Sequence, residues 1–293
     1  MMEMDNRIKV APLKSKLAKE YAFKAFQVIF LAIVLILTYT PIIVMILTSF
    51  STDPLGYRFN GFTFDWYKEL IANDDLLDSI LFTLEITLLS TVISTVFGTL
   101  SAIGINALSK DLKKKFIVLN NVPILNADIV TAVFLLLIFQ ILSLILQTNI
   151  IAKYGFITTL IAHVLFSTPY VVLSVLPKLN KDNSLYDAAI DLGCSPRRAL
   201  TKVVIPNIKS GILSGCLLAF TMSIDDFIIT HFVSGSYNNF STWLYGNLKT
   251  MKNGQWNQAC AYNSVLMIVT FSAIIIYQLV SMKKNANKKK EAM

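Results

Sequence analysis

Six apolar runs dominate this 293-residue sequence and leave little of it for a water-soluble core. They fall at about 25–49, 79–108, 122–146, 155–177, 209–233 and 259–282. A helix needs about 20 apolar residues to cross a hydrocarbon layer roughly 30 Å thick, so each run is long enough for one crossing. Composition points the same way, with 55% hydrophobic residues, 15% charged residues and a mean hydropathy of +0.61. The expected fold class is therefore an all-α membrane protein with six transmembrane helices over residues 25–282.

Basic residues set the expected orientation. Six lie in an N-terminal arm, 1–24, four follow the second run (Lys110, Lys113, Lys114, Lys115), six lie between the fourth and fifth, and five lie in a tail, 283–293. Alternating crossings put all of these on one side, 21 of the 26 Lys and Arg. That side is expected to be the cytoplasm, with both termini there and the chain multi-pass in the plasma or inner membrane. The net charge of +8 then reads as a topological signal; nucleic-acid binding would need a basic folded soluble face, and the sequence offers none. The first run is too long for a signal peptide and no clear cleavage site follows, so it is expected to remain in the mature chain. Cys194, Cys216 and Cys260 show neither disulfide nor zinc spacing.

Several chemistries lack their motifs. There is no G-x-x-x-x-G-K-[ST] to cradle a nucleotide, no H-E-x-x-H and no G-x-S-x-G, so no catalytic residue, metal ligand or cofactor is assigned to this chain. His163 and His231 are the only histidines, and an isolated membrane histidine reads first as a hydrogen-bonding partner between helices. In the second run Ser94, Gly98 and Ala102 recur every four residues, which smooths one helix face for close packing within the protein or against a second membrane subunit. The loop 51–78 mixes acids with aromatics such as Phe62, Trp66 and Tyr67, reading as an interfacial segment or a docking surface for an external partner.

One stretch between the fourth and fifth runs, Tyr186 to Pro206, is written for water. Ser184 three residues before Asp187 can start a short helix, Gly193 can end it, and Ser195 before Pro196 can start another, which Pro206 should interrupt. A helix-turn-helix for DNA has this outline too, but membrane runs flank it closely. Its pattern resembles the cytoplasmic coupling loop of ABC importer permeases: E-A-A, three residues, Gly, nine residues, I-x-L-P. Here it reads Asp187-Ala188-Ala189, then Gly193, then Val203-Val204-Ile205-Pro206, with Asp, Val and Ile as conservative departures and the spacing kept.

More of the chain, over 38–282, resembles the spermidine/putrescine branch of that family. The resembling residues include Tyr39, Pro41, Gly61-Phe62-Thr63, Trp66-Tyr67, Asp128-Ile129-Val130, Pro169, Phe220-Thr221, Asp225-Asp226 and Phe232-Val233. The resemblance implies a type I ABC importer permease fold with a coupling loop at about 178–208. It implies a second homologous permease in a heterodimer, two cytosolic ATPases that use ATP and Mg, and an extracytoplasmic polyamine-binding protein. On it, Asp187, Ala188, Ala189, Gly193 and Pro206 engage an ATPase groove. Intramembrane acids need a reason to be there, and Asp128, Asp225 and Asp226 become candidates for the path of a polycation, with aromatics offering cation–π contacts. For Asp225 and Asp226 the alternative is capping a broken helix; for Asp128, an ordinary helix cap. The expected function is thus the transport subunit of an ATP-driven polyamine importer rather than an enzyme. A permease for another small solute or a secondary transporter is the alternative.

Overall fold

The computed structural model describes residues 11–54, 58–181, 184–248 and 254–291. In chain order its helices are α1 (Ala11–Ser49), α2 (Asp65–Ala72), α3 (Asp74–Asn106), α4 (Lys110–Leu125), α5 (Asp128–Ile145), α6 (Ile150–Lys181), α7 (Ser184–Asp191), α8 (Pro196–Ala199), α9 (Ile205–Ile224), α10 (Ile228–Val233), α11 (Phe240–Asn247) and α12 (Gln255–Glu291). A π turn, Leu200–Val204, joins α8 to α9. Among the described residues the only extended pairing is an isolated bridge between Ser51 and Phe62. Among the described residues, five segments are long and apolar enough to cross a membrane: Glu20–Ser49, Asp74–Asn106, Asp128–Ile145, Gly155–Leu179 and Pro196–Ile224. The sixth expected run, 259–282, lies within α12.

Three boundaries differ from expectation, each for a local reason. The third run was expected from residue 122, but α4 continues to Leu125 with Pro123 inside it, Asn126 and Ala127 are extended, and α5 starts at Asp128. Proline removes a ladder hydrogen bond, and the chain turns just after it. The fifth run, expected as one helix over 209–233, is broken at 225–227 into α9 and α10. Pro206 does not end a helix as expected; it sits in the first turn of α9, directly after the π turn. The wider π turn, in which the Ile205 N–H reaches back to the Leu200 carbonyl, accommodates a ring that would crowd a regular α-helix. The basic arm is helical from Ala11 and continuous with the first crossing, and α12 carries the tail through Glu291.

The chain forms two compact units, Met1–Ala72 with Met251–Met293, and Asn73–Thr250. In the first, the end of α1, the following loop, α2 and the start of α12 are tied by polar contacts. The Asn257 amide donates to the carbonyls of Thr48, Ser51 and Asp53, the Trp66 indole N–H donates to the Ser51 carbonyl at 2.6 Å, and Ser49 Oγ lies 2.9 Å from the Tyr67 hydroxyl. Phe50, Phe62, Phe64 and Tyr67 stack beside them, with Phe62 and Phe64 more than half exposed.

In the second unit α6 lies against both α3 and α9. The small-residue stripe of α3 is used here, within the chain: Ser94 and Ala102 are fully buried, and a Cβ on Gly98 would stand 2.6 Å from Val171 Cβ. From the other side, a Cβ on Gly215 would stand 3.1 Å from the Val171 backbone. Close backbone approach of this kind substitutes for a hydrophobic driving force that lipid does not supply. A core of Ala102, Val171, Val175, Leu179, Ile208 and Ala219 fills the resulting three-helix contact. A second core joins α5, α6 and α10 through Leu135, Phe139, Phe166, Ile229 and Val233.

Candidate functional site

The two ends of α9 carry the residues singled out in the sequence. At its start, α7 closes through Gly193, whose φ is +85°. The Gly193 N–H donates to the Ile190 carbonyl at 2.8 Å and the Cys194 N–H to the Ala189 carbonyl at 3.0 Å, the paired bonds of a Schellman cap. A side chain on a left-handed residue is strained whatever the room around it, and here the space around Gly193 is open. The constraint on Gly193 is therefore backbone conformation. Ser195 holds the N-cap position of α8 with extended backbone, and Pro196 follows, but the Ser195 hydroxyl makes no capping bond. The expected hydroxyl cap of α7 at Ser184 involves residues beside 182–183, which lie outside the described residues.

The structure brings Asp187, Ala188, Ala189 and Gly193 into this one short pair of helices. Ala189 is buried, while Asp187, Ala188 and every residue from Asp191 to Arg198 are exposed. Leu192 is 87% exposed, an apolar tip on an otherwise polar element. Pro206 stands apart, on the far side of the π turn.

At the other end of α9 two adjacent carboxylates diverge. Asp226 is turned inward, its side chain 8% exposed. Its Oδ1 accepts from the Ile229 N–H, and its Oδ2 from the Thr230 N–H and hydroxyl, both at 2.8 Å, so it caps the broken helix at α10. His163 Nε2 lies 3.4 Å from Oδ2 and 3.0 Å from Thr230 Oγ1, and its Nδ1 lies 2.7 Å from Ser223 Oγ, which in turn lies 2.9 Å from Ser90 Oγ. Thr230 donates its hydroxyl to Asp226 and accepts from Nε2, while the Ser90 hydroxyl donates to the Thr87 carbonyl. Asn239 adds a bond from its amide to the Asp226 carbonyl while capping α11 through Thr242 N–H, and Phe240 N–H donates to Thr83 Oγ1. His163 therefore bridges α6, α9 and α10, as the sequence suggested, but Ser90, Ser223, Thr230 and Asn239 were not singled out. The contacts of Ser90 with Ser223 and of Ser223 and Thr230 with His163 span 60 to 133 residues, and no local motif announces such a network.

Asp225, the C-cap residue of α9, is exposed, and no side chain pairs with its carboxylate among the described residues. Asp128 is on a different element, exposed in the first turn of α5, one turn before the second core begins at Ala132. The three candidate path acids are thus not gathered into one site. Separately, a cleft of about 1020 Å³ opens beside the α5–α6 connection, lined by Gln140, Ser143, Gln147, Thr148, Asn149 and Ser236. Leu144 and Ile151 are also part of the lining, which carries no charge.

Residues 94–285 match the model of a family described as binding-protein-dependent transport system inner membrane component. The chain is 31% identical over 258 residues to the spermidine/putrescine transport system permease protein PotC of Haemophilus influenzae, covering 87% of this chain and 96% of that one. It is 31% identical over 199 residues to the putrescine transport system permease protein PotI of Escherichia coli, covering 67% and 70%. Among solved structures, a bacterial ABC transporter involved in import of the acidic polysaccharide alginate shares the fold, with a TM-score of 0.70 at 16% identity over 93% of this chain and 99% of that one.

Proposed function

This chain belongs to the family of binding-protein-dependent transport system inner membrane components, and from that membership we propose that it is the permease subunit of an ATP-driven importer for polyamines of the spermidine and putrescine class. The observation that carries the coupling half of this reading is the exposed α7–α8 pair, capped by backbone geometry and fixed to α9 by the π turn. A groove on each of two cytosolic ATPases receives such a pair; ATP and Mg are used there and not in this chain. Ala188 and Ala189 keep the helix slim, Gly193 makes the turn, Asp187 caps or pairs with a groove base, and the bare Leu192 gives an apolar anchor. Closure of the ATPases on ATP then rocks α9 and the helices packed on it, giving alternating access.

A second, homologous permease subunit completes the path, and an extracytoplasmic binding protein delivers the polyamine. The termini and the α7–α8 pair lie in the cytoplasm, because 21 of the 26 Lys and Arg fall on that side. Asp225 offers its carboxylate to the cation, Asp128 offers another nearer the cytoplasmic side, and Asp226 shapes the break from behind. The relatives' names support the cargo class. ATP-dependent uptake by the reconstituted complex, measured across a series from putrescine to spermidine and against an uncharged solute, tests the whole. Uptake of the neutral solute with none of the polyamines would overturn it.

A further inference from the structure

The break between α9 and α10 presents more than an acid. Phe227, His231 and Tyr245 come from the break itself, α10 and α11, and their rings meet: Phe227 stacks on His231 with centroids 5.4 Å apart, and Tyr245 lies 4.9 Å from Phe227 and 6.3 Å from His231. They are not core. His231 is exposed and Tyr245 is 60% exposed. The surface that α3 exposes is of another kind, built of Leu88, Val92, Val96, Phe97 and Leu100, which suits lipid. An imidazole and a phenol beside an exposed carboxylate would lose their hydrogen bonds against hydrocarbon, which argues for a polar surrounding rather than lipid here.

We propose that Phe227, His231 and Tyr245 form an aromatic shelf on which an alkylammonium segment of the cargo lies, with Asp225 supplying the counter-charge. Ring faces carry negative potential and attract an ammonium within about 6 Å of the centroid, while the methylenes between amines pack on the same rings. The shelf suits a flexible polycation better than a second carboxylate would, because stacking on a face holds the chain without trapping each charge in an ion pair. Asp226 cannot serve this purpose, since its oxygens are taken by α10 and His163. Asp225, two residues before Phe227, is left to do so.

This inference rests on the polyamine reading above, and its test separates the two. Uptake of radiolabelled spermidine is measured for the complete importer carrying Tyr245→Leu, His231→Leu, Tyr245→Phe or His231→Phe, normalised to the amount of this chain in the membrane. ATP hydrolysis stimulated by the spermidine-loaded binding protein is measured beside it. Both positions are exposed, so the exchanges leave the core alone. The expected result is a loss of about fivefold or more in uptake for each leucine variant, the size of one cation–π contact, with the phenylalanine variants near the parent and ATP hydrolysis intact. Parental uptake in the leucine variants overturns the shelf, as does an equal loss of uptake and ATP hydrolysis, which marks a structural role. If the parent importer takes up no polyamine, the functional reading itself falls.

Discussion

The two ends of α9 are built on opposite plans. At the α8 end the chain is shaped by backbone devices, a left-handed glycine, a proline at a helix start and a π turn, and most of its side chains are left bare. At the α10 end the backbone is interrupted and side chains from α3, α6, α9, α10 and α11 close over the gap until the buried His163 and Asp226 are fully engaged. An end whose groups satisfy one another is complete without help; an end whose groups are bare is completed by something else.

Removing one member from the closed network should have the largest effect on the protein itself. Asp226→Ala strips the cap from α10 and takes the carboxylate from beside His163, which keeps Ser223 and Thr230, a loss of about 1–3 kcal/mol expected for leaving buried hydrogen-bonding groups unpaired. Thermal unfolding of the purified complex in detergent should show a clear drop, and a stability equal to the parent would mean that the network is not a unit. Asp225→Asn, next door, should leave the melting curve in place and lower polyamine uptake. If both substitutions behave alike, the divergence of the two carboxylates has no functional meaning.

Gly193→Val should abolish uptake at the bare end while the chain inserts normally, because a β-branched side chain cannot hold φ near +85° and the cap would reopen. Membrane fractionation and uptake on the same cells check this, and normal transport by the variant would sink the coupling assignment. Ser223→Ala should cost less, about 1 kcal/mol, as it removes the hydroxyl between Ser90 and His163 but leaves the Asp226 cap standing. Smallest of all is Ser195→Ala: a helix-capping serine is usually worth about 1 kcal/mol, yet this hydroxyl makes no capping bond, so unfolding should move by less than about 0.5 kcal/mol. A larger shift would show that Ser195 works at the interface with a partner.

What could be read in the sequence follows the same divide. Gly193, Ser195 and Pro196 act on their own neighbours, so spacing alone placed the turn and the start of α8. The stripe of Ser94, Gly98 and Ala102 likewise predicted close packing, although only the structure names Val171 as what it packs on. The break at Asn126 had its signal in Pro123 and in the polar Asn126 and Asp128, but the run was drawn from residue 122 through all three. The π turn was hidden because Pro206 signals only that the α ladder must yield, and not whether it ends or widens. For Asp226 the capping alternative was legible, since its bonds reach only to Ile229 and Thr230, but its pairing with His163, 63 positions earlier in the chain, was not.

Val171 is pressed by glycine on both sides, Gly98 from α3 and Gly215 from α9. At that level the helices meet almost backbone to side-chain base, with the core of Val175, Leu179 and Ile208 beyond it, so α3, α6 and α9 are packed as one slab. A close-packed slab transmits strain better than it absorbs it, so bending is expected at its seams. Two such seams are at hand, the extended residues Asn126 and Ala127 ahead of α5 and the interruption at 225–227. Close packing in the middle thus leaves these two interruptions as the places where flexing is expected.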